Sequence, residues 1–405
     1  MSPPPVRGTL ELGGKVDELP KEFLSVSKAR ELLVTRSLPV AYESDGSIAQ
    51  DTLRALGEGG RTFGGSPERL PDGDVVHVYE EDVIWGGTLT PHYGHFLTES
   101  IARLWPLLPG HSLAGLPVVF TRPNAAPFVR DWIDGFGGST VELPEQGVVR
   151  FRRMFVAEPA WRHDAWIAPE IRDIHLSARR GLEVPPSRGH DVLWLSRSAL
   201  DPDRIPYDEG LLEWILADHV TIVHPETMTL AEQIAMLEGS RAVAGVVGSA
   251  FHTLLLAEAL PACLYLCPPW DQAAFPAQHR FLDTEATFVQ ALGVAARTRR
   301  ARERGLFFPG GYRMSIPSAL HALDATVLPD LLEDPRLAAF ASAEAQPEGG
   351  SRAPAADTDA AIARVLLDPR SMRARAALAA VFEAEGLEHL AREQLSAVAD
   401  LTDDA

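Results

Sequence analysis

Cysteine is nearly absent from this 405-residue chain: Cys263 and Cys267, four apart in an apolar segment, are the only two. That excludes a disulfide framework and a zinc quartet, and it fits a reducing compartment. Lysine is scarce beside a marked excess of arginine, and the formal net charge is -19. A general binder of nucleic acid needs a basic face, so that class of partner is excluded. No run approaches the about 20 apolar residues that span a bilayer, and Met1-Ser-Pro-Pro-Pro-Val-Arg-Gly8 lacks the apolar core of a signal peptide. The expected location is cytoplasmic. What is present is 46% hydrophobic residues, as in a globular protein with room for two substantial cores. Any anionic ligand must then be caught by a few placed arginines, whose planar fork suits phosphate.

From Asp191 onward the pattern alternates. Strand-like runs at Val192–Ser196, Val220–Val223, Ala242–Val247 and Cys263–Cys267 are separated by helical stretches around Leu211–Ile215, Thr229–Leu237 and Ala250–Leu260. Such alternation predicts a parallel, doubly wound sheet with ligands at the C-terminal ends of its strands. That edge collects Ser196-Arg197, His224-Pro225-Glu226, Gly248-Ser249 and Pro268-Pro269. The first half predicts a second α/β unit, with strands at His77–Glu80, Val83–Trp85, Pro117–Thr121 and Arg150–Val156 and a helix from His95 to Leu108. The organisation read from these patterns is a tail over 1–20, an α/β domain over 21–186, a second α/β domain over 187–340, a linker over 341–358, and a helical, tetratricopeptide-like appendage over 359–405. Pro185–Gly189 reads as the hinge.

Val243–His252 runs from an apolar strand into Gly248-Ser249 and then a helical stretch. A small-residue turn there leaves backbone N–H groups aimed outward, an arrangement that takes a phosphate; equally, Gly248 serves only close packing. Arg197 follows a strand end and Arg204 follows shortly after, so both suit a diphosphate at that turn; Arg204 also reads as an ordinary loop arginine. His252 falls in the first turn after Gly248, placed for a phosphate or sugar or else as a satisfied, semi-buried residue. His224 and Glu226 suit a nucleobase or ribose. Thr229-Leu-Ala-Glu232 is a capping box, giving Glu232 a structural role. His92 and His95 lack a matching carboxylate motif, and no convincing metal cluster is visible.

His95 and Glu99 are helical neighbours that fall opposite the apolar stripe Leu97, Ile101, Leu104 and Leu108. A carboxylate raises and orients an imidazole, so the pair suits a general base and its orienter; the alternative is an incidental pair on a solvated face.

Tyr93-Gly-His95-Phe-Leu-Thr-Glu99 followed by Arg103-Leu-Trp105 resembles the aromatic-His-x-x-x-Glu segment of family 61 glycosyltransferases. Leu195-Ser-Arg197, Arg204, Glu232-Gln233 and Gly248-Ser-Ala continue that resemblance in order, over about residues 75–300. It implies two Rossmann-like domains facing a cleft (GT-B-like), and a nucleotide sugar, with no metal or other cofactor, used for inverting transfer to a hydroxyl acceptor. His95 and Glu99 would then be catalytic, and Tyr93, Arg197, Arg204, Gly248, Ser249 and His252 would hold the donor. The chain departs from the family pattern twice: Tyr207 stands where an Asn is expected, which bears on the donor's sugar or base contacts, and Ser249–Thr253 replaces a Gly-Ala-Gly-then-Asn turn, which marks a divergent, bacterial-type branch. The rival readings are a nucleotide-sugar epimerase or hydrolase, and an inactive scaffold whose C-terminal helices recruit a protein partner. A homo-oligomer is compatible with all three.

Overall fold

Continuous apolar runs such as Val192-Leu-Trp-Leu195 leave no polar face for solvent, so they form strands covered on both sides. The computed structural model describes residues 24–53, 55–56, 61–62, 67–122, 126–162, 166–187, 189–201, 204–269, 274–294, 312–342 and 358–402. The tail over 1–20, most of the linker, Arg188 of the expected hinge, Asp203 and the last three residues lie outside these.

Two sheets organise the chain. The first comprises β1 (Arg30–Val34), β2 (Ala41–Tyr42), β3 (Val75–Thr88), β4 (Val118–Thr121), β5 (Thr140–Val141) and β6 (Val148–Val156), in the order β2-β1-β6-β3-β4-β5. The four strands β6, β3, β4 and β5 are parallel, while β1 runs antiparallel to β6. This half is therefore a mixed sheet, not a fully parallel one. The two expected strands His77–Glu80 and Val83–Trp85 are one 14-residue strand whose register against β6 shifts twice.

The second sheet comprises β7 (His190–Leu195), β8 (Thr221–Val223), β9 (Ser240–Val246), β10 (Ala262–Cys267) and β11 (Ala286–Gln290). All are parallel, in the order β8-β7-β9-β10-β11. Counted along the chain this is 2-1-3-4-5, so the winding reverses between β7 and β9, where a ligand crevice opens. β11, which sequence periodicity missed, follows the strand expected to be last. One face of the sheet packs Val192, Trp194, Ala244 and Leu264 into a large core, and the other packs Leu193, Leu195, Val243 and Tyr265 against Phe251 and Phe275.

Helices α1 (Pro127–Phe136) and α2 (Glu170–Gly181) pack with the first sheet in a cluster that reaches Leu230, Ile234 and Leu255 of the second half. α3 (Glu209–Leu216) and α4 (Leu230–Glu238) belong to the second sheet, α4 opening on the expected capping box of Thr229 and Glu232. The halves share an apolar cluster in which Phe96, Leu97 and Trp132 meet Leu230, Ile234 and Leu255. Polar straps join them too. Arg172 of α2 donates to the carbonyls of Leu254, Leu255 and Ala257 at 2.9, 2.6 and 2.6 Å, and Arg179 forms a bidentate pair with Glu238 at 2.9 and 2.8 Å.

The chain ends in α5 (Ala274–Leu282), α6 (Ile316–Thr326), α7 (Pro335–Ala341), α8 (Thr358–Leu367), α9 (Met372–Ala384) and α10 (Glu388–Thr402). The last three fall within the span read as an appendage, and they are not held at a distance. Ile362, Leu378, Phe382 and Leu390 share one core with Leu211, Leu212 and Ile215 of α3. The fully buried Arg375 guanidinium grips Asp208 with two bonds of 2.7 and 2.8 Å.

Candidate active site

Two segments expected to be regular helices are short and irregular. In place of a helix from His95 to Leu108 there is one α-turn at Tyr93–His95, a wide π-turn at Phe96–Ser100, and a 3-10 turn at Trp105–Leu107. Tertiary partners take the backbone groups a continuous helix would need. His175 holds the Leu97 carbonyl at 2.9 Å, and Ala160 N–H takes the Ala102 carbonyl at 2.7 Å. The apolar stripe is nonetheless buried as expected, Leu97, Ile101 and Leu104 each at 1% exposure or less. After β9 the chain forms only a seven-residue 3-10 helix, Ser249–Leu255, where a helix to Leu260 was expected. Arg172 ends it by taking its last carbonyls. So short a helix adds little dipole, and an anion here must be met chiefly by side chains.

A cavity of about 770 Å³ lies between the C-terminal edges of the two sheets. Segments that follow β3 and β4 supply His92, Tyr93 and Phe128, and segments that follow β7, β8 and β9 supply Arg197, Arg204, Glu226, Gly248 and Ser249. The volume is in the range of small-molecule sites.

Arg197 leaves β7 at the winding reversal. Its backbone N–H donates to Glu209 Oε1 at 3.0 Å and its Nε to the Arg204 carbonyl at 3.0 Å, so both the main chain and the guanidinium are fixed. Burial lowers its pKa from the ordinary arginine value, an unfavourable setting for a cation that an incoming anion would relieve. Gly248 lies directly beneath the Arg197 Nη1. Its extended backbone (φ 179°) is open to any residue, so only the close approach of the Arg197 Nη1 disfavours a side chain there.

Across the cavity Tyr93 bridges the halves. Its hydroxyl lies 2.8 Å from Thr253 Oγ1 and donates to Gln233 Oε1 at 3.2 Å, while Gln233 Nε2 donates to the Pro225 carbonyl at 2.9 Å. Burial raises the Tyr93 pKa, so this is a neutral phenol. Gly94 completes the join, since a Cβ there would stand 3.0 Å from both Ser249 and His252.

His95 Nδ1 and Glu99 Oε1 are 2.6 Å apart, with side-chain exposures of 41% and 8%. Glu99 therefore does not lie on a solvated face: the π-turn rotates it inward to a cavity of about 50 Å³ shared with Ser100, Arg103 and Trp161. His95 does not line the large cavity, but its ring lies 4.7 Å from that of His92, which does. The pair thus connects the large cavity to the small one.

Of the remaining residues singled out, His252 is turned away. It is 7% exposed, its Nδ1 lies 2.5 Å from Gln278 Oε1, and its ring stacks on Phe275 at 4.7 Å. His224 lies 3.9 Å from Glu226 and, unlike Glu226, does not line the cavity. Pro268 and Pro269 are outside it as well. Tyr207 uses its backbone to bond Tyr312 and Met314, both at 2.9 Å, and does not face the cavity. Two residues that spacing did not single out for the site, His92 and Gln233, line it. Their signal was sequence proximity to Tyr93 and to the capping box, which by itself says nothing of direction. Among the described residues, no three His, Cys, Asp or Glu side chains are grouped as a metal ion would need.

The architecture is that of an α/β protein with a doubly wound sheet whose ligand edge carries arginines and faces a second, mixed sheet. The glycosyltransferase 61 family model matches residues 93–264, from Tyr93 at the cavity to Leu264 in β10, a match that supports membership of glycosyltransferase family 61. No curated protein matches the chain. No helix among the described residues is long and apolar enough to cross a membrane.

Proposed function

We propose that this protein transfers a sugar from a nucleotide-sugar donor to a hydroxyl acceptor, with inversion and without a metal, on a GT-B-like pair of α/β halves. The observation that carries this reading is the position of the Arg197 guanidinium over Gly248 at the winding reversal, with Arg204 on the same cavity. Two guanidinium groups supply positive charge that a departing diphosphate needs, in a protein whose overall charge is -19. Glu226, which lines the same cavity, suits the ribose hydroxyls.

An inverting transfer also needs a base beside the acceptor hydroxyl. His95, oriented by Glu99, is that base in this reading, and the acceptor approaches from the first half. A pocket of about 370 Å³ adjoins there, sharing Arg103 and Pro159 with the small cavity that Glu99 lines.

The test is to screen the full chain for thermal stabilisation by UDP, GDP, CDP and ADP, and then to assay transfer from the matching sugar nucleotides to an acceptor panel. A ligand that binds only the native state must raise its melting temperature. Failure of every nucleotide at saturating concentration would sink this reading. Hydrolysis or epimerisation of the sugar nucleotide without any acceptor would replace transfer by one of those reactions.

A further inference from the structure

His92 lines the large cavity together with Arg197 and Arg204, from the opposite half of the protein. Its Nδ1 accepts the backbone N–H of His95 at 3.5 Å, which caps the first turn of that helix. An imidazole accepting through Nδ1 carries its proton on Nε2, so the nitrogen left over for a ligand is a donor. The ring sits 4.7 Å from that of His95, and the titratable and charged groups facing it are His95, Glu99, Arg197 and Arg204. Partial desolvation, followed by the nearby His95, Arg204 and Arg197, lowers its pKa to about 4. The side chain at this point of the cavity is therefore a neutral N–H donor beside Arg197 and Arg204.

We propose that His92 is a third ligand of the donor's diphosphate, donating from Nε2 to a phosphate oxygen held by Arg197 and Arg204. This rests on the reading of the cavity as a nucleotide-sugar site. The division of labour has a physical reason. A third full cation would be repelled by two guanidinium groups already in place, whereas a neutral donor adds a hydrogen bond without that repulsion. It also places the diphosphate next to the His95–Glu99 pair. When the bond from the anomeric carbon to the diphosphate oxygen breaks, its electron pair stays on that oxygen, where the His92 N–H meets the growing charge. The acceptor oxygen forms the new bond to carbon, and its proton passes to His95.

Capping and phosphate contact separate by substitution. Serine and threonine cap helix N-termini well but are too short to reach a ligand, whereas glutamine restores a side-chain N–H near the Nε2 position. UDP, GDP, CDP and ADP, each paired with its parent nucleoside, are titrated calorimetrically into the wild-type chain and into His92→Ser, His92→Thr and His92→Gln. Expected is at least a tenfold loss of affinity for the preferred nucleoside diphosphate in the serine and threonine variants, no change for the nucleoside, and substantial recovery in His92→Gln. Wild-type diphosphate affinity in a folded His92→Ser or His92→Thr would overturn the inference and leave the site reading intact. A wild-type chain that binds none of the four diphosphates would overturn both.

Discussion

The Arg197 guanidinium lies so close over Gly248 that a Cβ on residue 248 would collide with Nη1. The two residues end neighbouring strands, β7 and β9, on either side of the winding reversal, so the contact forms where a ligand crevice opens. Gly248→Ala should therefore displace the guanidinium without unfolding the sheet, since the backbone at 248 is extended. We expect about a tenfold loss of nucleoside diphosphate affinity, about 1.4 kcal/mol, with the melting temperature nearly unchanged. Arg197→Lys, which loses the planar fork, should do at least as much. Calorimetric titration decides it, and unaltered affinity in both variants would remove Arg197 from the site.

His95 and Glu99 should behave as a unit. His95→Ala and Glu99→Gln are each expected to lower kcat by about 10²–10⁴, the usual range for a general base, with little change in donor KM. Steady-state kinetics at saturating acceptor test this. Retention of wild-type kcat in both variants would reduce the 2.6 Å pair to a structural contact.

The C-terminal helices are expected to be indispensable to folding. Arg375→Met leaves Asp208 buried with its main partner gone, and one-sided loss of a buried ion pair costs about 3–5 kcal/mol. Arg313, whose Nε is 3.7 Å from Asp208, can offset part of that. Removing residues 358–405 should give an aggregating chain, because it uncovers Leu211, Leu212 and Ile215. An independent docking module would instead leave the melting temperature of the remainder unchanged.

Stability should depend on pH in two opposing ways. Burial pushes His175 down to about 3 and His279 to about 4, from an ordinary 6.5. Between those values the unfolded chain binds more protons than the native one, so stability falls as pH drops from about 6.5 toward 4. Glu393 is pushed up to about 8 from 4.5, by burial first and then by Asp208, while burial and Glu213 raise Glu209 as well. For these groups the native state holds the extra proton, so their stabilisation is complete below about 4.5 and is lost as pH rises through the native value. These opposing slopes offset one another between about pH 4.5 and 6.5, so the melting temperature should be highest in that window and fall on either side. Glu393→Gln should raise it at pH 8 and leave it unchanged at pH 4.5. A Glu393→Gln chain less stable than wild type at pH 8 would refute the account.

The second half was legible in outline because its strands are apolar runs and its helices carry caps and periodic stripes, signals that depend on neighbouring residues alone. Strands β7 to β10 and the capping box at Thr229 and Glu232 lie where those signals put them, within a residue or two. The pairing of His95 with Glu99 was legible for a similar reason, as an i, i+4 spacing brings two side chains together even in a widened turn. Periodicity went wrong where distant groups claim the backbone. His175 and Ala160 break the helix expected from His95 to Leu108, and Arg172 halts the one expected to reach Leu260.

The sequence by itself determined the residue types that this chemistry requires, the order of the strands along the chain, and an acidic protein in which a few arginines must meet any anion. Tertiary structure decided which of those residues face one another. It turned His252 into the core and Glu99 inward, set His92 on the cavity beside Arg197 and Arg204, and joined Tyr93 to Thr253 across 160 residues of chain. Direction of this kind is fixed by packing between the two sheets. Contacts so far apart in sequence leave no local pattern from which it could be read.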